Sequence, residues 1–118
     1  MSKFIKGFYF AWQGIAYSFR TQLNFKVEVF SALCVIAVSY YLGLSTAEWL
    51  WIALAITLVL VSELANTAIE TLVDLVSPDY NPKAGIVKDI SAAVVLLTGL
   101  FALVTGILIL LPKILHAL

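Results

Sequence analysis

The chain has 118 residues, of which 63% are hydrophobic and only 12% charged, and its formal net charge is zero. A soluble domain of this length usually carries about twice that charge fraction, and its interior is too small to hide so much apolar surface. A water-soluble globule is therefore excluded and a bilayer expected. The charge balance leaves no footprint for nucleic acid as a partner, and the lone Cys34 supports neither a disulfide framework nor a metal cluster.

The first element is expected at about residues 4–22. Phe4, Phe8, Ala11, Ile15 and Phe19 recur at helical spacing, while Lys6, Gln13 and Arg20 fall elsewhere. This pattern reads as an amphipathic helix lying in the membrane interface, anchored by Tyr9, Trp12 and Tyr17. No small-residue cleavage site follows Lys3 and Lys6, so the segment is expected to be retained.

Three transmembrane helices are expected at about 26–44, 47–76 and 88–111. A span needs about 20 largely apolar residues. Residues 90–111 meet that outright. The runs 27–44 and 47–61 meet it only when polar residues near one end are included, the second continuing semi-polar to 76. Gly43-Leu44-Ser45-Thr46 makes a tight connection, with Thr46 as the expected cap of the next helix. Ser77-Pro78-Asp79-Tyr80-Asn81-Pro82 ends that helix, and Pro112 is expected to close the last. No repeat or long linker interrupts the chain, so residues 1–118 are expected to form a single all-α, membrane-embedded domain.

Lys3, Lys6, Arg20 and Lys26 precede the first span, and Lys83 and Lys88 occupy the second loop. The first loop holds only Glu48, with Lys113 a mild exception at the far end. The positive-inside rule then puts the N-terminus and the second loop in the cytoplasm, where the polar ends of the three spans converge.

The chemistry is concentrated in one segment. With Glu63 at 0° and about 100° per residue, Asn66 falls at about −60°, Thr67 at about 40°, Glu70 at about −20° and Asp74 at about 20°. The opposite face is Leu64, Ala65, Ala68, Ile69, Leu72 and Val73. Ionisable groups at membrane depth are costly and face protein or a water-filled cavity. One structural reading pairs Glu63 with a lysine of another helix, or has it hold helices together by hydrogen bonds. With Glu28 and Asp89 added, however, the carboxylates outnumber the basic partners near the membrane. Clustered hard oxygen donors suit Mg²⁺. Lys88-Asp89, read as opening the third span, would add a cation and free N–H groups for a phosphate. No Walker-type glycine loop is present.

Glu63-Leu64-Ala65-Asn66-Thr67-Ala68-Ile69-Glu70 followed by Val73-Asp74 resembles the signature of the prokaryotic diacylglycerol kinase family, which includes the undecaprenol kinases. The resemblance extends over Ala11 and Gly14, Asn24-Phe25-Lys26, Glu48-Trp49, Ser77-Pro78-Asp79-Tyr80 and Lys88-Asp89. It implies an ATP-dependent lipid kinase that phosphorylates a membrane lipid alcohol, diacylglycerol or undecaprenol. It further implies a homotrimer with sites at subunit boundaries, in the bacterial inner membrane with the site on its cytoplasmic face. Glu63 matches the catalytic base, with Asn66 in support, and Glu70 and Gln22 match metal positions. Lys88, Asp89, Asp79, Tyr80, Asn81 and Phe10 match nucleotide contacts, while Asp74, Glu28, Asn24 and Trp12 are supporting or lipid-side.

Three positions depart from the pattern. Gln22 stands where many members carry a second metal-binding glutamate, and Asn81 where histidine is frequent. Glu28 is similar to the diacylglycerol type, whereas Asn24-Phe25-Lys26 and Ser77-Pro78 look like the undecaprenol type, so the choice of lipid stays open. A rival reading from another class is a non-enzymatic, cation- or proton-coupled transport component using the same stripe. That reading gives Lys88 no phosphate to hold.

Overall fold

The computed structural model describes residues 2–118. Among them lie four helices and no strand: α1 (Lys3–Thr21), α2 (Leu23–Leu42), α3 (Thr46–Val76) and α4 (Pro82–Ala117). The last three are long and apolar enough to cross a membrane. The expected all-α membrane architecture, a short N-terminal helix followed by three spans, is what the chain adopts.

Burial is inverted relative to a soluble bundle. Among the described residues, only Phe25, Leu44, Ile52, Ala55 and Leu110 are buried apolar ones, whereas Ser18, Ser39, Ser62, Glu63, Thr67, Ser91 and Thr105 are buried polar ones. Large side chains such as Leu33, Leu54, Leu97 and Leu108 point outward. In lipid the tails are as apolar as leucine, so helix contacts are made by small residues and hydrogen bonds. The 2.8 Å bond between the Ser62 and Thr98 hydroxyls, linking α3 to α4, is one of these.

α3 and α4 form the main hairpin, with α2 packed on both and α1 touching only α2 and α3. Phe4, Phe8, Phe10 and Trp12 stand exposed on α1. A single extended residue, Gln22 (φ −112°, ψ 112°), separates α1 from α2. Its N–H bonds Ser18 O at 2.9 Å, and its carbonyl accepts from Lys26 N at 3.2 Å. α2 ends at Gly43, whose φ of 70° lies in the left-handed region that a Cβ disfavours.

Three local expectations are corrected. The cap of α3 is Ser45, not Thr46. Ser45 Oγ accepts from Glu48 N at 3.2 Å and Ser45 N–H donates to Glu48 Oε1 at 2.9 Å, a capping box. Glu48 also meets Lys113 at 3.3 Å, so the basic residue that broke the charge rule is paired with the acid of the first loop. Second, Pro112 does not close α4, which runs on to Ala117. Membrane helices tolerate an internal proline where neighbouring groups absorb the freed carbonyl. Third, α4 starts at Pro82 rather than at Lys88, with Asn81 Oδ1 accepting from Lys83 N at 2.9 Å. Lys88 is thus two turns inside the helix, and its N–H is not one of the free groups at a helix start.

Ser45→Ala is expected to cost about 1 kcal/mol of stability through loss of the cap. Thermal unfolding in detergent micelles measures this, and coincident melting curves would take the capping box out of the account.

Candidate active site

α3 rises about 1.5 Å per residue. Glu63 therefore lies about 25 Å beyond Thr46, and Asp74 about 42 Å beyond it. Against a hydrocarbon core about 30 Å thick, Glu63 stays inside while Asp74 emerges. Within the bundle Glu63 is enclosed, 3% exposed, whereas the Asp74 side chain is 68% exposed.

Around Glu63 the three spans contribute one group after another. From α2, Glu28 faces it, and from the next turns of α3, Glu70 does. Glu63 is near enough to act on Glu28 as a like charge, and Glu70 near enough to act on Glu63. Glu28 Oε2 is buried and has no hydrogen-bond partner among the described residues. Thr67, also buried, turns its hydroxyl back to Glu63 O at 3.0 Å, so the carboxylate is left free of that donor. Asn66 donates from Nδ2 to Glu70 Oε1 at 3.2 Å and accepts at Oδ1 from Ser91 Oγ of α4 at 2.7 Å. At the wet end Lys88 Nζ lies 2.7 Å from Asp74 Oδ1 and within electrostatic reach of Glu70.

Glu63, Asn66, Glu70, Asp74, Glu28 and Lys88 are thus brought together at one end of the bundle. Asp89 is exposed beside Lys88. Other expected residues stand apart. Phe10 and Trp12 are each 65% exposed on α1, and Tyr80 is 93% exposed in the α3–α4 loop with Asp79 exposed next to it. Asn24 is exposed near the start of α2. The Asn81 side chain caps α4, and Gln22 sits in the α1–α2 joint with its amide donating to Thr21 Oγ1 at 3.3 Å. Ser91 was not anticipated; as a serine in an apolar run it gives no signal until α4 is docked on α3.

Below Glu28 the helices part into a crevice of about 140 Å³. Ser31, Val35, Ile52, Ala55, Val59 and Gly106 are among its walls, and Glu28 is its one charged lining residue among those described.

Such a site, acid-rich at membrane depth with a lysine at its wet rim, invites comparison with known proteins. The family model for prokaryotic diacylglycerol kinase matches residues 9–110. The chain belongs to the prokaryotic diacylglycerol kinase family. Within that family it is similar to a diacylglycerol kinase of Synechocystis, at 40% identity over 109 residues, covering 92% of this chain but 62% of that protein. It is also similar to the undecaprenol kinase of Bacillus subtilis, at 36% identity over 113 residues, covering 96% of this chain and 92% of the relative. The diacylglycerol kinase of Escherichia coli K12 is 25% identical over 109 residues, 92% of this chain and 89% of that protein. The family expectation drawn from the α3 signature therefore holds, and the relatives include both lipid types between which the sequence did not choose.

Among the described residues no three Asp, Glu, His or Cys side chains gather into a closed metal cage. Mg²⁺ needs no such cage, since it takes one or two carboxylates and completes its shell with water and substrate phosphates. Glu70, a hard oxygen donor with lone pairs beyond the one that accepts from Asn66, fits such a partial site.

Proposed function

We propose that residues 1–118 act as one membrane-embedded, ATP-dependent lipid kinase. It transfers a γ-phosphate to the hydroxyl of a lipid alcohol, diacylglycerol or undecaprenol. The observation that carries this reading is Glu63: a carboxylate 3% exposed, flanked by Glu28 and Glu70 and set at the edge of the hydrocarbon layer. A lipid hydroxyl reaches that depth without leaving the membrane. The crevice under Glu28 offers a path for its hydrocarbon chain.

In this reading Glu63 accepts the proton of the attacking hydroxyl. The lipid oxygen bonds to the γ-phosphorus, the bond from that phosphorus to the bridging oxygen breaks, and ADP leaves. Such chemistry depends chiefly on positioning and charge neutralisation. Glu70 would hold Mg²⁺, whose role when bound is to neutralise phosphate charge. Lys88, held by Asp74 at the rim, faces the phosphates with Asp89 beside it. The Asp79-Tyr80-Asn81 loop and Phe10 complete the nucleotide contacts, and Asn24 and Trp12 lie on the lipid side. Phe10, Trp12 and Tyr80 are far from enclosed by their own chain and are available to a site shared between subunits, in the homotrimer that the family resemblance implies. The basic residues around the site end favour the cytoplasmic face by the positive-inside rule, and the bacterial inner membrane is the setting the family resemblance implies.

The test is transfer of labelled γ-phosphate from ATP in mixed micelles, with diacylglycerol and undecaprenol side by side. Label in either lipid supports the reading, and label in neither overturns it in favour of transport. Gln22→Glu adds one negative charge at a metal position and is expected to lower the Mg²⁺ concentration for half-maximal activity. A charge a few ångströms from the metal contributes on the order of 1–3 kcal/mol, about five- to hundredfold. Overlapping magnesium titrations would remove Gln22 from the site.

A further inference from the structure

We propose that Ser91 is a positioning residue: its buried hydroxyl holds the Asn66 amide in the one orientation that hands a hydrogen to Glu70. The inference deepens the kinase reading and rests on it for the role of Glu70. The geometry itself stands apart from that role.

Ser91 is 4% exposed and lies on α4 three residues beyond Lys88, facing α3. Hydroxyl residues inside helices commonly turn back onto the carbonyl of the preceding turn. Thr21, Thr57, Thr67 and Thr71 all do so here, to the residue four earlier. Ser91 departs from that habit and donates across the helix interface to Asn66 Oδ1, at 2.7 Å.

The chemistry admits one arrangement. An ionised Glu70 only accepts hydrogen bonds, so the Asn66 NH₂ has to face it; the observed Nδ2 to Oε1 distance is 3.2 Å. The amide carbonyl then points at α4, where an acceptor without a donor is costly. Ser91 supplies that donor. With Ser91 in place, an amide flip would set the Asn66 carbonyl against the Glu70 carboxylate. Without the hydroxyl the carbonyl loses its partner, and the amide is held by its 3.2 Å bond to Glu70 alone. With one lone pair of Glu70 Oε1 taken by Asn66, the relay orients the carboxylate and leaves its other lone pairs to a cation. Ser91, on one helix, thereby sets the carboxylate of another.

Two measurements on the full-length protein in micelles test this. In metal- and nucleotide-free protein, Ser91→Ala is expected to shift or broaden the side-chain amide resonances of Asn66, and Ser91→Thr to keep them near wild type. Mn²⁺ affinity, read by electron paramagnetic resonance, is expected to fall about tenfold in Ser91→Ala, as when an outer partner of a metal ligand is lost. In an Asn66→Ala background the same substitution is expected to change nothing. Should the alanine variant fold poorly, Ser91→Cys, near-isosteric with a weak donor, carries the same comparison. Unchanged Asn66 resonances would overturn the relay. So would an equal loss of Mn²⁺ affinity in the Asn66→Ala background, because Ser91 would then act only as a pin between helices. Absence of lipid phosphorylation by wild type alongside the resonance change would defeat the kinase reading and leave the relay standing.

Discussion

Glu63→Gln is expected to reduce lipid phosphorylation by about 10²- to 10⁴-fold, the range for loss of a general base, while nucleotide affinity stays near wild type. The substitution is nearly isosteric and removes only charge and basicity. It leaves Thr67, which bonds the Glu63 backbone carbonyl rather than its carboxylate, where it is. Stability offers a second readout. Glu63 faces like charges from Glu28 and Glu70, and Glu28 Oε2 has no partner among the described residues. A neutral amide relieves that repulsion and brings an N–H that can reach an acceptor. The variant should therefore melt at the wild-type temperature or above it while its turnover collapses. Turnover and unfolding of the same preparation decide the matter. Unchanged turnover would rule Glu63 out as base, and a loss accompanied by unfolding would make it a structural residue.

Glu70→Ala is expected to raise the Mg²⁺ requirement by about tenfold to a hundredfold, the scale of one lost charge close to a cation in partly wet surroundings, and to leave the KM for lipid nearly unchanged. Raising Mg²⁺ should restore part of the activity. The alanine also takes away the acceptor of the Asn66 amide, so two contributions are mixed in it. Glu70→Gln separates them, because its carbonyl still accepts from Asn66 while the charge is gone. If both variants are equally impaired in magnesium titrations, the charge matters and the hydrogen bond does not. A shift in lipid KM alone would mean that Glu70 serves the lipid and not the metal.

The spans were legible because apolar runs are the strongest signal a membrane chain carries, and the α3 stripe was legible because helical spacing alone puts Glu63, Glu70 and Asp74 on one face. The helix starts were less so. α4 is expected from Lys88-Asp89, at the edge of the long apolar run, yet Asn81-Pro82 is a cap followed by a proline at the first helical position. Between them, Lys83-Ala84-Gly85-Ile86-Val87 holds one charge, a glycine and only two strongly apolar residues before Lys88-Asp89, an apolar run too short to register in a hydropathy reading. The Ser45–Glu48 box lay in the sequence at its usual spacing, one residue before the cap that was assigned. Ser91–Asn66 and Lys88–Asp74 were invisible for a different reason. Each pairs residues on two helices, and only the crossing register of α3 on α4 decides which side chains meet.

α3, with 31 residues, and α4, with 36, are about 46 and 54 Å long, well beyond a hydrocarbon layer of about 30 Å. A helix too long for its bilayer tilts or lets its surplus stand out in water, at a modest cost per ångström. The far end of this hairpin carries the Glu48–Lys113 ion pair, whose charges disfavour entry into the hydrocarbon, so host thickness is expected to be taken up at the acidic end. Each ångström of added lipid draws the waterline along α3 from Glu63 toward Asp74. The hydration of the carboxylate row is then a property of the membrane as much as of the chain, and reconstitution into bilayers of graded acyl length becomes a way to move the water boundary across the site without altering a residue.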